Sequence, residues 1–261
     1  MSVKVTVLGS GSAYGVPVIG GDWGNCDPKN PKNRRMSPSI LIENNGAKVM
    51  VDFGPDVKEQ TLKFGIREID GVLFTHPHAD HITGCFHLPM YMRYFSKTKN
   101  LPLFADRATR KDIERVWWFQ NDPKINVEYS GEGRPYWREI LPHEMLNICG
   151  MEVMPILQHH GKMDSMGYRV GNFAYSTDWN SMPEESYEYL HDLDVWLVEC
   201  DSETPTTMHQ HLDQVLEIIE RVKPKKAYLC HLDLTMDYDT ISKKLPENVE
   251  LSYDGLVIET T

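Results

Sequence analysis

The sequence predicts a single layered α/β domain. Three observations carry this. Short strand-like runs and helical stretches mix along all 261 residues. No internal repeat or low-complexity linker divides them. The composition, 41% hydrophobic and 25% charged, is that of a globular chain long enough to bury a sizeable core.

The elements follow in order. Val3-Lys4-Val5-Thr6-Val7-Leu8 alternates as a strand and breaks at Gly9-Ser10-Gly11. Residues 20–38, rich in Gly, Asn, Pro and Lys, read as a long loop. Strands over Ser39 to Glu43 and Ala47 to Asp52 meet at Asn44-Asn45-Gly46, a hairpin signal. Helical spacing covers Asp56 to Phe64, and the apolar run Gly71 to Thr75 reads as a buried strand. Ala79 to Phe95 begins as a helix and is interrupted at Pro89. The middle holds a strand near Leu101 to Ala105, a helix from Thr109 to Phe119, and strands around Ile125 to Tyr129 and Tyr136 to Leu141. Strands follow at Met151 to Leu157 and Tyr168 to Ser176, then a helix near Glu184 to Leu190 and a buried strand, Val195 to Glu199. Leu212 to Val222 is an amphipathic helix that stops before Lys223-Pro224. Ala227 to Cys230 is a short strand, and Val249 to Thr261 reads as a last hairpin.

Charge and composition exclude several function classes. With 27 Lys and Arg against 38 Asp and Glu, the net charge is −11, which disfavours binding to nucleic acid. A small anionic substrate stays open, because a bound metal reverses the local field. No apolar run is long enough to span a membrane. The N-terminus passes into a strand without a long apolar segment, and the five cysteines are scattered with no Cys-x-x-Cys pair. A cytoplasmic protein with reduced thiols is expected. Gly9-x-Gly11-x-x-x-Gly15 departs from the dinucleotide fingerprint, so it reads as a tight turn.

The chemistry concentrates in Thr75-His76-Pro77-His78-Ala79-Asp80-His81. His76 and His78 are two apart, so in extended chain both imidazoles face one side. Asp80 and His81 fall where the chain turns toward a helix, aimed at a second point nearby. Imidazoles and a carboxylate packed this closely would be costly without a cation, and the arrangement suits two adjacent metal ions. Further candidates stand just past apolar strands: His159 and His160 after Met151 to Leu157, Asp178 after Phe173 to Ser176, and His231 after Ala227 to Cys230. His87, His143, His191 and His209 read as structural or surface residues, and Arg34-Arg35 as a solvated pair.

The series His76-x-His78-x-Asp80-His81, His160, Asp178 and His231 resembles the ligand set of the metallo-β-lactamase superfamily. Within it the chain resembles the PhnP phosphodiesterase family, in Gly9 to Pro17, Arg34-Arg35, Asp52-x-Gly54 and His211-Leu212-Asp213. The resemblance implies a four-layer αββα sandwich, with two mixed sheets and helices outside, spanning residues 1–261 as one domain. It implies that His76, His78 and His160 hold one divalent ion and that Asp80, His81 and His231 hold another. Asp178 would bridge them, and His160 rather than His159 would serve as ligand. Manganese or zinc are the best matches, with iron and nickel also compatible with the donors. Asp80 and His211 are the implied catalytic residues, His211 beside the leaving group, and Asp52 would orient a ligand imidazole. The family's cysteine-rich zinc loop is reduced here to Cys26, so that extra zinc is expected to be absent. The middle region, Arg93 to Pro142, is longer than the resemblance leads one to expect.

The implied activity is hydrolysis of a small phosphodiester, cyclic ones included, by hydroxide held between two metals. The implied partner is a small anionic phosphoester, and the chain is compatible with a homodimer. Alternatives are RNA or tRNA 3′-end processing, thioester or lactone hydrolysis, or a non-catalytic carrier role.

Overall fold

The computed structural model describes residues 2–94, 100–117 and 136–260. The first sheet contains β1 (Lys4–Gly9), β2 (Ser39–Asn44), β3 (Ala47–Val51), β4 (Gly71–Leu73), β5 (Pro102–Ala105), β6 (Tyr136–Glu139) and β14 (Val257–Glu259). Its order is β14-β1-β2-β3-β4-β5-β6. The second contains β7 (Leu146–Ile148), β8 (Met151–His160), β9 (Met163–Val170), β10 (Phe173–Ser176), β11 (Val195–Glu199), β12 (Lys226–Cys230) and β13 (Val249–Leu251). Its order is β13-β12-β11-β10-β9-β8-β7. Both sheets are mixed. β3 to β6 run parallel in one, and β10 to β13 in the other.

Three apolar clusters divide the molecule into four layers. Between the sheets lie Val5, Val7, Ile42, Val51, Met151, Val153, Tyr168, Phe173 and Leu197. Behind the first sheet pack α1 (Val57–Lys63), α2 (Ala79–Ile82), α3 (Leu88–Tyr94) and α4 (Arg107–Val116), through Val57, Ile82, Leu88 and Ile113. Behind the second sheet, α5 (Leu212–Val222) and α6 (Tyr238–Ser242) bury Leu212, Val215, Ile219 and Ile241. This is the four-layer αββα arrangement.

Local chemistry accounts for the elements. Asn45 and Gly46 both have positive φ, 53° and 83°, as the tight β2–β3 turn demands. Pro89 stands at the second residue of α3, where its missing N–H costs nothing. It therefore starts a new helix after the 3₁₀ segment Thr83–His87 rather than kinking one long helix. α5 ends on Lys223 in the left-handed region, φ 55°, just before Pro224. No helix among the described residues is long and apolar enough to cross a membrane.

Three element expectations are corrected. The single strand expected over Tyr168 to Ser176 is two antiparallel strands, β9 and β10, turned at Gly171. Glu184–Leu190 is 3₁₀ helix rather than α-helix. The expected closing hairpin does not form: β13 pairs with β12 in the second sheet, and β14 crosses to β1 in the first. Two apolar edges need covering, and the last residues close one of each. The strand expected at Ile125 to Tyr129 and the end of the helix expected to reach Phe119 lie outside the described residues.

Candidate metal centre

The site forms where the parallel strands of both sheets end. Asp52 follows β3, His76 follows β4 by three residues, Asp178 follows β10 and His231 follows β12. Asp52, Asp178 and His231 each have left-handed backbone, φ 64°, 52° and 59°. Non-glycine residues rarely accept this conformation. Here it turns each side chain off its strand into the site, a strain that the surrounding packing holds in place. Gly54 permits one further approach: a Cβ there would lie 2.0 Å from the Asp80 carbonyl oxygen. The Asp52 loop and the segment carrying Asp80 and His81 therefore lie backbone to backbone, and Phe53 N donates to His81 O at 2.8 Å.

Three overlapping groups of metal-capable side chains result among the described residues. His76, His78, His160 and Asp178 form the first, Asp80, His81, Asp178 and His231 the second, and Asp178, Glu199, His209 and His231 the third, with ligand atoms within 4.8 Å of one another in each. Asp178 belongs to all three, and the first two share no other residue. Its Oδ1 lies 3.9 Å from Nε2 of His76 and of His160, and 3.3 Å from Nε2 of His231, while Oδ2 is 3.1 Å from His81 Nε2. His81 Nε2 is also 2.9 Å from Asp80 Oδ2. Yet the buried Nε2 atoms of His76, His81 and His231 make no hydrogen bond. Nitrogen and carboxylate oxygen converge on shared points instead of facing each other as donor and acceptor. Imidazole and carboxylate donors at these separations fit a divalent first-row metal.

The far sides of three rings are held as well. His81 Nδ1 donates to Asp52 Oδ2 at 2.7 Å, and His160 Nδ1 to the Met208 carbonyl at 3.1 Å. His76 Nδ1 is 3.1 Å from Thr75 Oγ1, while His231 Nδ1 lies 3.3 Å from Asp201 Oδ1 without a hydrogen bond. Such outer contacts leave the inward nitrogens as lone-pair donors.

Electrostatics divides the first two groups. Burial pushes His76 and His78 down, helped by neighbouring imidazoles, so these rings are neutral. Burial, with His209 and His78 beside it, brings His160 down to about 4. Burial also opposes charge on His81 and His231, but the carboxylates prevail and hold both well above the ordinary imidazole range. Asp80, Asp178 and Asp52 act on His81, and Asp178, Asp201, Asp80 and Glu199 on His231. For Asp80, burial works upward, and the charge of His81 with hydrogen bonding from His231 outweighs it. The second group thus demands positive charge at its centre.

The structure brings His76, His78, Asp80, His81, His160, Asp178 and His231 together. His159 points elsewhere, paired with Asp164 at 2.8 Å on the surface. His211 does not reach the cluster. It is the N-cap residue of α5, and its Nδ1 contacts Gln214 Oε1 at 2.6 Å. The histidine that arrives instead is His209, expected to be structural or surface. Its ring stacks on His231 with centroids 5.0 Å apart, and its Nδ1 is 3.8 Å from Asp178 Oδ1. The cause is local. Asp201 N donates to Gln210 O and Leu212 N to Ser202 O, both at 3.0 Å. These bonds close the neck of the loop, leaving His211 in the neck and hanging His209 inward.

Glu199 was also missed. It is fully buried at the end of β11, accepts from Trp179 N at 2.7 Å, and bonds His209 Nδ1. Burial pulls the His209 pKa down, but the hydrogen bond and charge of Glu199 more than offset it, leaving a raised value. A glutamate ending an apolar strand was the signal available for it. Arg35 is corrected too. It is buried, not solvated, and donates to the carbonyls of Asp233 at 3.2 Å and Met236 at 2.6 Å, with Cys26 Sγ 3.8 Å away. Arg34 lies over the Trp23 ring at 5.0 Å. These contacts tie residues 20–38 to the segment after His231. Among the described residues, Cys26 belongs to no metal-capable group.

Residues 47–232 match the family model described as the beta-lactamase superfamily domain. The chain is similar to a crystal structure described as a new diphosphatase from the PhnP family, with 31% identity and a TM-score of 0.90 over 100% of this chain and 98% of that one. It is 27% identical over 264 residues to an octanoyltransferase of Porphyromonas gingivalis, covering 97% of this chain and 51% of that protein. It is 27% identical over 144 residues to a ribonuclease Z of Archaeoglobus fulgidus, covering 54% of this chain and 44% of that protein. The chain thus spans about half the length of these two curated relatives.

Proposed function

This chain belongs to the β-lactamase superfamily, and we propose that within it the protein hydrolyses a small phosphodiester. The observation that carries the reading is Asp178, a carboxylate common to the His76–His78–His160 group and the Asp80–His81–His231 group, in a chain that resembles a PhnP-family diphosphatase over its whole length. An aspartate, rather than the cysteine of typical β-lactamases, stands there. In this reading His76, His78 and His160 would hold one divalent ion and Asp80, His81 and His231 a second, with Asp178 available to both. When bound, such ions, manganese or zinc, supply Lewis acidity toward a phosphoryl group and lower the pKa of water toward neutrality.

The chain's own residues do the rest. Asp52, Thr75 and the Met208 carbonyl fix the rings of His81, His76 and His160. Glu199 holds the Nδ1 of His209, which leaves Nε2 to carry a proton toward a departing oxygen. Its raised pKa keeps that proton available near neutrality. The net charge of −11 favours a small anion over a polynucleotide.

The test is a substrate panel on chelator-stripped protein with Mn²⁺ or Zn²⁺ restored. Bis-p-nitrophenyl phosphate and a cyclic ribose phosphate are expected to be hydrolysed only with metal, and nitrocefin to survive. Nitrocefin turnover, or intact diesters in metal-restored protein, would overturn the reading.

A further inference from the structure

We propose that the Thr75 hydroxyl is a positioning group that relays the Asp52 carboxylate to His76, so that one buried carboxylate orients an imidazole both in the group that contains His76 and in the group that contains His81. The proposal rests on the two-metal reading above and extends it.

Asp52 Oδ1 accepts from Thr75 N at 2.8 Å, and Oδ2 accepts from Thr75 Oγ1 at 2.9 Å and from His81 Nδ1 at 2.7 Å. Thr75 Oγ1 in turn lies 3.1 Å from His76 Nδ1. Asp52, Thr75, His76 and His81 are all at 0% exposure, so water cannot substitute for any partner. The proton count then fixes the direction. An ionised carboxylate only accepts, and a hydroxyl owns one proton. That proton goes to Asp52, leaving Thr75 Oγ1 as an acceptor. His76 Nδ1 must therefore carry the ring hydrogen, and the lone pair sits on Nε2. That is the buried atom that finds no hydrogen-bond partner and faces Asp178. The contact of Thr75 Oγ1 with His81 Nδ1 is longer, 3.4 Å, and that nitrogen is already committed to Asp52.

The two branches separate by mutation. Thr75→Val keeps the shape and deletes the relay to His76 alone. Thr75→Ser keeps the hydroxyl. Asp52→Asn perturbs both branches.

The measurement is zinc binding to stripped protein in competition with a chromophoric chelator, which reads two affinities without turnover. Wild type is expected to take up two equivalents. In Thr75→Val one affinity falls about 10–100-fold and the other changes far less. Thr75→Ser stays close to wild type, and Asp52→Asn weakens both. Wild-type affinities at both sites in Thr75→Val, or a Thr75→Ser variant as weak as Thr75→Val, would overturn the relay while leaving the two-metal reading intact. A wild-type chain that takes up no second zinc would overturn the two-metal reading and the relay with it. A readout independent of any variant's folding is the long-range ¹H–¹⁵N spectrum of zinc-loaded wild type. His76 is expected with hydrogen on Nδ1 and metal on Nε2, and the reverse tautomer would refute the relay.

Discussion

Replacing His209 with alanine separates proton transfer from metal binding. His209 is held by Glu199 and stacked on His231; it lies outside the groups that contain His76 and His81 but shares a third metal-capable group with Asp178, Glu199 and His231, so metal analysis of the variant decides between the two roles. A positioned general acid contributes about 10²–10⁴-fold, or about 3–5 kcal/mol of transition-state stabilisation. The full loss is expected on a cyclic ribose phosphate, whose departing alkoxide needs a proton. On bis-p-nitrophenyl phosphate, whose phenolate leaves unaided, kcat/KM is expected to change little. His211→Ala is the control. It removes the side-chain hydrogen bond with Gln214, the His211 side chain making no capping bond to the α5 backbone, and is expected to cost about 1 kcal/mol of stability with no selective effect on either substrate. The assay pairs kcat/KM on both substrates with metal analysis of each variant. Equal losses on both substrates at full metal content, or a selective loss in His211→Ala instead, would refute the assignment of His209.

Two further outcomes follow from the buried Arg35 and the half-buried Asp254, both outside the metal-capable groups. Arg35→Met strands the carbonyls of Asp233 and Met236. It is expected to cost about 3 kcal/mol, a fall in Tm of about 6–12 °C, and an unchanged Tm would remove Arg35 as the anchor of residues 20–38. Asp254 accepts from Ser10 N, Ser10 Oγ and Met36 N, and burial raises its pKa to about 6. The folded state keeps this proton better than the unfolded state, so the contribution to stability is greatest below about pH 4 and declines as pH rises through about 6. Relative to Asp254→Asn, wild type is expected to lose about 2 kcal/mol between pH 4 and 7 in denaturant unfolding, and parallel curves would contradict it.

Much of the site was legible because strong local signals and strand ends coincide. His76 to His81 cluster within six residues, and of the remaining candidate ligands His160 is the last residue of a strand while Asp178 and His231 stand two and one residues past theirs. His209 and His211 were not separable from sequence. They lie two apart before the same helix, and only the backbone pairing of Ser202 with His211 decides which turns inward. Glu199 was hidden by its neighbours, since Val-Trp-Leu-Val-Glu reads simply as a buried strand. Arg35 looked like half of a surface pair, and its burial depends on carbonyls about 200 residues away in sequence. The last strands were misjudged for a similar reason: β13 and β14 are close in sequence but complete different sheets.

The most direct measurement is an anomalous difference map from crystals of the protein grown with manganese or zinc. Two peaks about 3.5–4 Å apart are expected, one within reach of His76, His78 and His160, the other of Asp80, His81 and His231, with Asp178 touching both. A single peak, or two peaks with Asp178 turned away from one of them, would contradict a dinuclear centre built on that carboxylate.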